Sequence, residues 1–232
     1  MLDKFFNIKK PYFIIGYFLV LLLDIGVKVN LEPFPFRYFT KPLLMLVLIL
    51  FYIKNHTAVA KEKHKYMLVA LFLFLLADIT VINHLNKILF IISMFMFIGA
   101  KAMYCLRFTN YRDFNLIRLL PFLSGIFILM VFVFFLIYDN LGNYFIPVLI
   151  YFFVSLLLFL FAYLRKNDVN NRSYNYVIIA MFFFLFSEVV MVLKSFYKPL
   201  PFEGILVMLC YGISQFLIVY GITIEVKMDE VE

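Results

Sequence analysis

Apolar runs long enough to cross a lipid bilayer recur along this chain, and little else is left between them. A helix rises about 1.5 Å per residue, so a hydrocarbon core of about 30 Å is crossed by roughly 17–25 residues. Such runs fall at 12–29, 39–53, 66–82, 88–108, 117–138, 144–164, 174–193 and 203–224, the second being the shortest. Turn-forming residues punctuate the connections, as in Glu32-Pro33-Phe34-Pro35, Asn83-His84, the run from Asp139 to Asn143, and Lys198-Pro199-Leu200-Pro201. With 66% hydrophobic and 15% charged residues in a chain of 232, no stretch is polar enough to cover a water-facing core. The expected fold is all-α, a polytopic transmembrane helical bundle of about eight spans, forming one integral membrane domain over residues 1–232.

The formal net charge of +7 does not point to nucleic acid, because the basic residues are scattered over short connections and form no basic face with interleaved aromatics. Their asymmetry instead orients the chain. Of the 21 Lys and Arg residues, most flank one side of the bilayer, among them Lys4, Lys9, Lys10, Lys54, Arg107, Arg112, Arg165 and Lys227. The opposite side has only Lys28, Arg37, Lys41, Lys87, Lys194 and Lys198. Both termini are therefore expected on the cytoplasmic side of a bacterial-type inner or plasma membrane. The first span follows lysines as a secretory signal would, but it lacks a small-residue cleavage site and carries Asp24 and Lys28, so it is expected to be a retained helix. The acidic end, Asp229-Glu230-Val231-Glu232, reads as a solvated terminus.

Cys105 and Cys210 lie in apolar runs and read as small hydrophobes. His56, His64 and His84 lie in connections without metal spacing, and the Walker, GxSxG, HExxH and Rossmann patterns are absent. Neither metal nor cofactor is expected. The Phe runs are assigned to lipid-facing and interhelical packing.

Chemistry concentrates in a few intramembrane polar residues. Two apolar stretches repeat each other, Ala70-LFLFLLA-Asp78-ITVI and Ala180-MFFFLFS-Glu188-VVMV, each with a carboxylate eight residues after an alanine. A charge at such depth costs about 2.5–3.5 kcal/mol on insertion scales unless it is paired, neutralised or facing a cavity. Counted along their spans, Asp24, Asp78 and Glu188 share one level, about 18–21 Å from the cytoplasmic end. Tyr211 and Gln215 bracket that level from the other end and share a helix face, as do Lys101 and Tyr104. Ser187 adjoins Glu188. The third and seventh spans run in the same direction, so a 4 + 4 parallel duplication fits, and sites in duplicated membrane folds often lie between the repeats.

Each of these residues has a structural and a functional reading. Asp24 and Lys28, at i and i+4, are expected to form an ordinary ion pair. Lys41, opening the second span, is placed either to reach a carboxylate or to bind a phosphate. Lys101 lies deeper, with a stem long enough to snorkel in either direction. For Asp78 and Glu188 the alternatives are helix–helix pinning by Lys or Tyr and an acid/base pair in a cavity.

Short motifs in order along the chain resemble the YhhN-like, lysoplasmalogenase family of eight-span membrane proteins. They are Thr40-Lys41-Pro42-Leu43-Leu44-Met45, Ala77-Asp78, Ala100-Lys101-Ala102-Met103-Tyr104, Ser187-Glu188 and Tyr211-Gly212-Ile213-Ser214-Gln215. Against the family pattern, Ala77 stands for glycine, Glu188 for aspartate and Lys101 for histidine. The resemblance implies hydrolysis of the vinyl ether bond of a membrane lysophospholipid, a lysoplasmalogen, to a fatty aldehyde and a glycerophospho-alcohol. Asp78 and Glu188 would be the catalytic carboxylates. Tyr211, Gln215 and Ser187 would orient water or headgroup, and Lys41 would meet the phosphate, with Asp24, Lys101 and Tyr104 completing the polar pocket. Two other classes fit the same residues: a small transporter or lipid-handling protein using the carboxylates as proton or cation sites, and an inactive structural relative.

Overall fold

The structure is a computed structural model, described over residues 10–56, 61–109 and 116–226. Lys4, Lys9, Arg112 and Lys227, used above to orient the chain, and the acidic end 229–232 lie outside the described residues.

The described residues are helical apart from short connections. The α-helices are α1 (Lys10–Asn30), α2 (Arg37–Asn55), α3 (Lys61–Thr80), α4 (Lys87–Phe108), α5 (Leu116–Leu141), α6 (Phe145–Leu164), α7 (Asn171–Phe196) and α8 (Glu203–Thr223). Among the described residues, seven helical stretches are long and apolar enough to cross a membrane. The count differs from the expected eight because Leu123–Asn167 is one continuous helical stretch of 45 residues, within which α5 and α6 are joined by a tight turn at Gly142–Tyr144. Gly142 makes the turn with φ +47°, a region where only glycine is free of a Cβ clash. The chain doubles back there, since Phe134 of α5 packs edge-on against Phe145 at 5.4 Å and Phe152 at 6.3 Å on α6.

α3 packs on α4 and α7 on α8, and α4 bridges to α6. The start of α4 is fixed by Asn86, whose side chain accepts from the backbone N–H of Ile88 at 3.0 Å and Leu89 at 3.3 Å, satisfying two donors a helix start leaves open. α8 is the innermost span, with 61% of its apolar window buried against 28% for α1. It is drawn close to its neighbours through glycines. The Gly212 carbonyl accepts from Tyr17 of α1 at 2.8 Å, and a Cβ at Gly221 would stand 3.1 Å from Tyr176 and Val177 of α7. Small residues at such contacts let backbones approach where lipid offers no hydrophobic drive. Phe127, Phe132, Phe135 and Phe182 are exposed, as side chains facing hydrocarbon are, while Phe74 and Phe159 fill the interior. Cys105 and Cys210 are free thiols in buried positions.

Candidate functional site

A carboxylate in an apolar bundle has to be met by donors, and each of the two repeat-borne acids is met from two neighbouring helices. Asp78, 1% exposed on α3, forms an ion pair with Lys41 of α2 (Nζ–Oδ1 3.1 Å) and accepts from the Tyr211 hydroxyl of α8 at 2.9 Å on Oδ2. Glu188, 4% exposed on α7, forms an ion pair with Lys101 of α4. It also accepts from the Tyr151 hydroxyl of α6 at 2.8 Å and from Ser155 at 2.9 Å. The Lys101 ammonium donates to the Ser155 hydroxyl at 2.7 Å and sits 3.2 Å over the Tyr151 ring centroid. Each carboxylate is met by an ammonium and by hydroxyl donors, the geometry that offsets the cost of burying the ions.

Both carboxylates open onto one cavity of about 110 Å³, lined also by Lys28, Arg37, Lys41, His84, Tyr151, Ser187, Lys194 and Tyr211 and by the apolar faces of Phe90, Phe97, Phe184, Met191 and Met208. At about 10–15 Å³ per water, this space holds several waters or a small polar group. An acyl chain would have to leave through the mouth. Ser187 donates to the Val207 carbonyl at 3.0 Å, tying α7 to α8 at the cavity wall. The cavity lies toward the end of the bundle that carries the α1–α2, α3–α4 and α7–α8 connections. Counted along α7, Glu188 is about 9 Å deeper than Lys194.

Of the residues singled out from sequence, the cavity brings together Lys41, Asp78, Ser187, Glu188 and Tyr211. Four others do not line it. Tyr104 donates to Gln215 at 2.9 Å, an α4–α8 bond in the core, and Lys101 stands behind Glu188 as its counter-ion. Asp24, fully buried, accepts from Thr40 of α2 at 2.6 Å. The expected Asp24–Lys28 ion pair is replaced, because Thr40 offers Asp24 a short bond from the adjacent helix while the Lys28 ammonium reaches Gly204 O of α8 at 2.9 Å.

Sequence reading did not single out Tyr151 and Ser155, and it placed Arg37 and His84 only as loop or flanking residues. Tyr151 and Ser155 do carry a signal, a polar i, i+4 pair in the very apolar α6, and Arg37 shares a face with Lys41 one turn on. His84, between α3 and α4, is held below the ordinary imidazole range by burial first and then by Lys194, Arg37 and Lys28, against a backbone hydrogen bond near Ile82 that works the other way.

A second polar cluster closes the opposite end. Arg107 and Arg165, read from sequence as connection charges that orient the chain, are each 1% exposed and converge on Glu225. Both approach Oε2 at 2.9 Å. Arg165 also donates to Ser173 at 3.0 Å. The carboxylate that follows α8 is what makes burial of the two guanidinium groups tolerable. Burial works to raise the Glu225 carboxyl, but Arg107 and Arg165 outweigh it and hold the group below its ordinary range.

A family model for the YhhN family matches residues 36–222, most of the chain. The chain belongs to the YhhN family. The matched stretch includes every residue of the Asp78 and Glu188 clusters, from Lys41 to Tyr211, whereas Lys28 and Glu225 lie outside it. Searches of curated proteins and of solved structures gave no match to this YhhN protein.

Proposed function

We propose that this YhhN-family protein is an intramembrane lipid hydrolase of the lysoplasmalogenase type, cleaving the vinyl ether of a lysophospholipid by carboxylate acid/base catalysis. The observation that carries this reading is the single cavity lined by both Asp78 and Glu188. Vinyl ether cleavage begins with proton delivery to the β-carbon, which leaves an oxocarbenium ion. Water adds to the α-carbon of that ion and gives up a proton to a carboxylate, forming a hemiacetal. The hemiacetal C–O bond to glycerol then breaks, the glycerol oxygen takes a proton and the hydroxyl loses one. One water is consumed, and a fatty aldehyde and a glycerophospho-alcohol leave.

One of the two carboxyl groups serves as proton donor, and the other steadies the cation and takes the proton from water. Lys41 and Lys101 keep an exchangeable proton beside each of them. Tyr211 and Tyr151 fix the carboxylates by hydrogen bonds on the cavity side, which holds the reacting groups in place without help from bulk water.

The same arrangement supports a 4 + 4 duplication and with it eight crossings, and the Lys and Arg asymmetry of the sequence supports cytoplasmic termini. Asp78 on α3 is met from α2 and α8, and Glu188 on α7 is met from α6 and α4. A shift of four helices carries one set onto the other, with lysine and tyrosine exchanging places. For the even count, Leu123–Asn167 crosses twice.

The test is aldehyde release from a lysoplasmalogen by purified protein, with the saturated 1-alkyl ether as the uncleavable control. Asp78→Asn and Glu188→Gln are each expected to reduce release by about 10²-fold or more while melting as cooperatively as the parent chain. Full activity in both variants, or no aldehyde from the parent chain, would refute this function.

A further inference from the structure

The mouth of the cavity holds more positive charge than its carboxylates neutralise. Three lysines near it are consumed in ion pairs: Lys41 with Asp78 at 3.1 Å, Lys194 with Glu203 at 2.6 Å, and Lys101 with Glu188. Lys28 and Arg37 remain, and among the described residues no carboxylate lies within ion-pairing distance of either. Lys28, half-buried, uses one of its three N–H donors on Gly204 O. Arg37 is 8% exposed, yet among the described residues its one directed contact is Nη2 to the Met208 sulfur at 3.5 Å, and its Nε is buried without a hydrogen-bond partner. Asp24 commits its Oδ1 to Thr40. A buried guanidinium with unused donors facing a cavity is a costly arrangement in a protein otherwise careful to pair its charges. The depressed imidazole of His84, pushed down in part by Lys194, Arg37 and Lys28, reports the same positive potential.

A phosphate fits this arrangement. The guanidinium fork offers parallel N–H donors to two phosphate oxygens, and an ammonium on a flexible stem meets a third. The same cavity presents the apolar faces of Phe90, Phe97 and Met191, so the favoured ligand is an amphiphile with its phosphate on the two cations and the start of its chain against these faces, the rest of the chain leaving through the mouth.

We propose that Lys28 and Arg37 form a phosphate-binding site at the cavity mouth, recognising the phosphodiester of a lipid headgroup or of its soluble glycerophospho counterpart. Lys41, which the family resemblance would place at the phosphate, is committed to Asp78, the other of its two readings. The proposal deepens the hydrolase reading by naming what holds the substrate's headgroup, and it rests on that reading only for the molecule that carries the phosphate.

The experiment measures equilibrium binding to the full-length protein in a non-ionic maltoside detergent. Four probes are compared: a 1-acyl lysophosphatidylethanolamine, which has no vinyl ether and so reports binding without turnover, the matching 1-monoacylglycerol, glycerophosphoethanolamine and inorganic phosphate. The lysophospholipid is expected to bind about tenfold or more tighter than the monoacylglycerol, the contribution of one or two charge-assisted hydrogen bonds. Arg37→Gln and Lys28→Gln should each remove most of that factor for the lysophospholipid and leave monoacylglycerol binding unchanged, and Arg37→Lys, which keeps the charge, should lose less than Arg37→Gln. Glycerophosphoethanolamine or phosphate binding as tightly as the lipid, with the same sensitivity to Arg37→Gln, supports the site and makes its ligand soluble. Lysophospholipid binding that Arg37→Gln and Lys28→Gln leave unchanged in melting-competent protein overturns the proposal, as does equal affinity for lysophospholipid and monoacylglycerol. Tight, Arg37-dependent binding without aldehyde release from a lysoplasmalogen would sink the hydrolase reading and leave the site standing.

Discussion

Glu225 shows how a single side chain governs the environment of two others. Its carboxylate is the acceptor shared by Arg107 and Arg165, and both guanidinium groups are buried with further N–H groups already unpartnered, Arg107 Nε and Arg165 Nη1. Glu225→Gln would leave two buried positive charges facing a neutral amide. Removing one partner of a buried pair costs about 3–5 kcal/mol, so a large fall in melting temperature is expected. The same contact sets an acid limit. The folded carboxyl lies below its unfolded value, so its stabilisation is complete above the unfolded value of about 4.3 and is lost as pH falls through that value toward the folded one. Melting of the parent chain should therefore weaken more steeply than that of Glu225→Gln as pH falls below about 4.3. Parallel pH dependences, or an unchanged melt, would show that the triad contributes nothing. This cluster was not legible in the sequence. Arg107 and Arg165 sit near helix ends, where lysines and arginines ordinarily meet water, and only the return of the chain after α8 shows that a carboxylate reaches them. The cavity carboxylates were legible, because a charge within an apolar run has no solvent to turn to. Their partners were legible only where a second polar residue stood on the same helix level, as Lys41 and Tyr211 do.

At the scale of elements, the helices follow the apolar runs to within about five residues at each end, since hydrocarbon leaves the backbone no alternative to internal hydrogen bonding. Rotation about the helix axis was not legible, and it is what separates the cavity residues from Tyr104, Lys101 and Gln215, which meet other partners. Rotation is fixed by close contacts such as that between α1 and α8. A Cβ at Gly212 would stand 2.4 Å from Leu21 Cδ1 and 2.9 Å from Cδ2, and Leu21 has no exposed surface through which to move aside. Gly212→Ala is expected to cost about 1–3 kcal/mol by overpacking and to stretch the Tyr17–Gly212 bond. If the clash is the cause, Leu21→Ala should cost less in the Gly212→Ala background than in the parent chain. Additive losses in the double variant would assign the effect elsewhere, for instance to the backbone of α8.

Across the whole molecule, the proposed duplication has a consequence for topology that does not depend on chemistry. If α1–α4 and α5–α8 are equivalent units running in parallel, the turn at Gly142–Tyr144 belongs to the same face as the α1–α2 connection, and the Arg165–Asn167 turn belongs to the opposite one. Leu123–Asn167 is long enough, at about 1.5 Å per residue, to cover roughly twice the thickness of a bilayer core, and its fold-back at Gly142 places Phe134 beside Phe152. Asn143, Glu32 and Lys166 are all exposed, so each tolerates a cysteine, and the native Cys105 and Cys210 are buried and slow to react. With a membrane-impermeant maleimide applied from one side of sealed vesicles, Asn143→Cys should label together with Glu32→Cys and apart from Lys166→Cys. Labelling of Asn143→Cys together with Lys166→Cys would mean that the 45-residue stretch does not cross twice. The third and seventh spans would then be antiparallel, and the matching of Asp78 to Glu188 would be a likeness of sequence without a duplicated site.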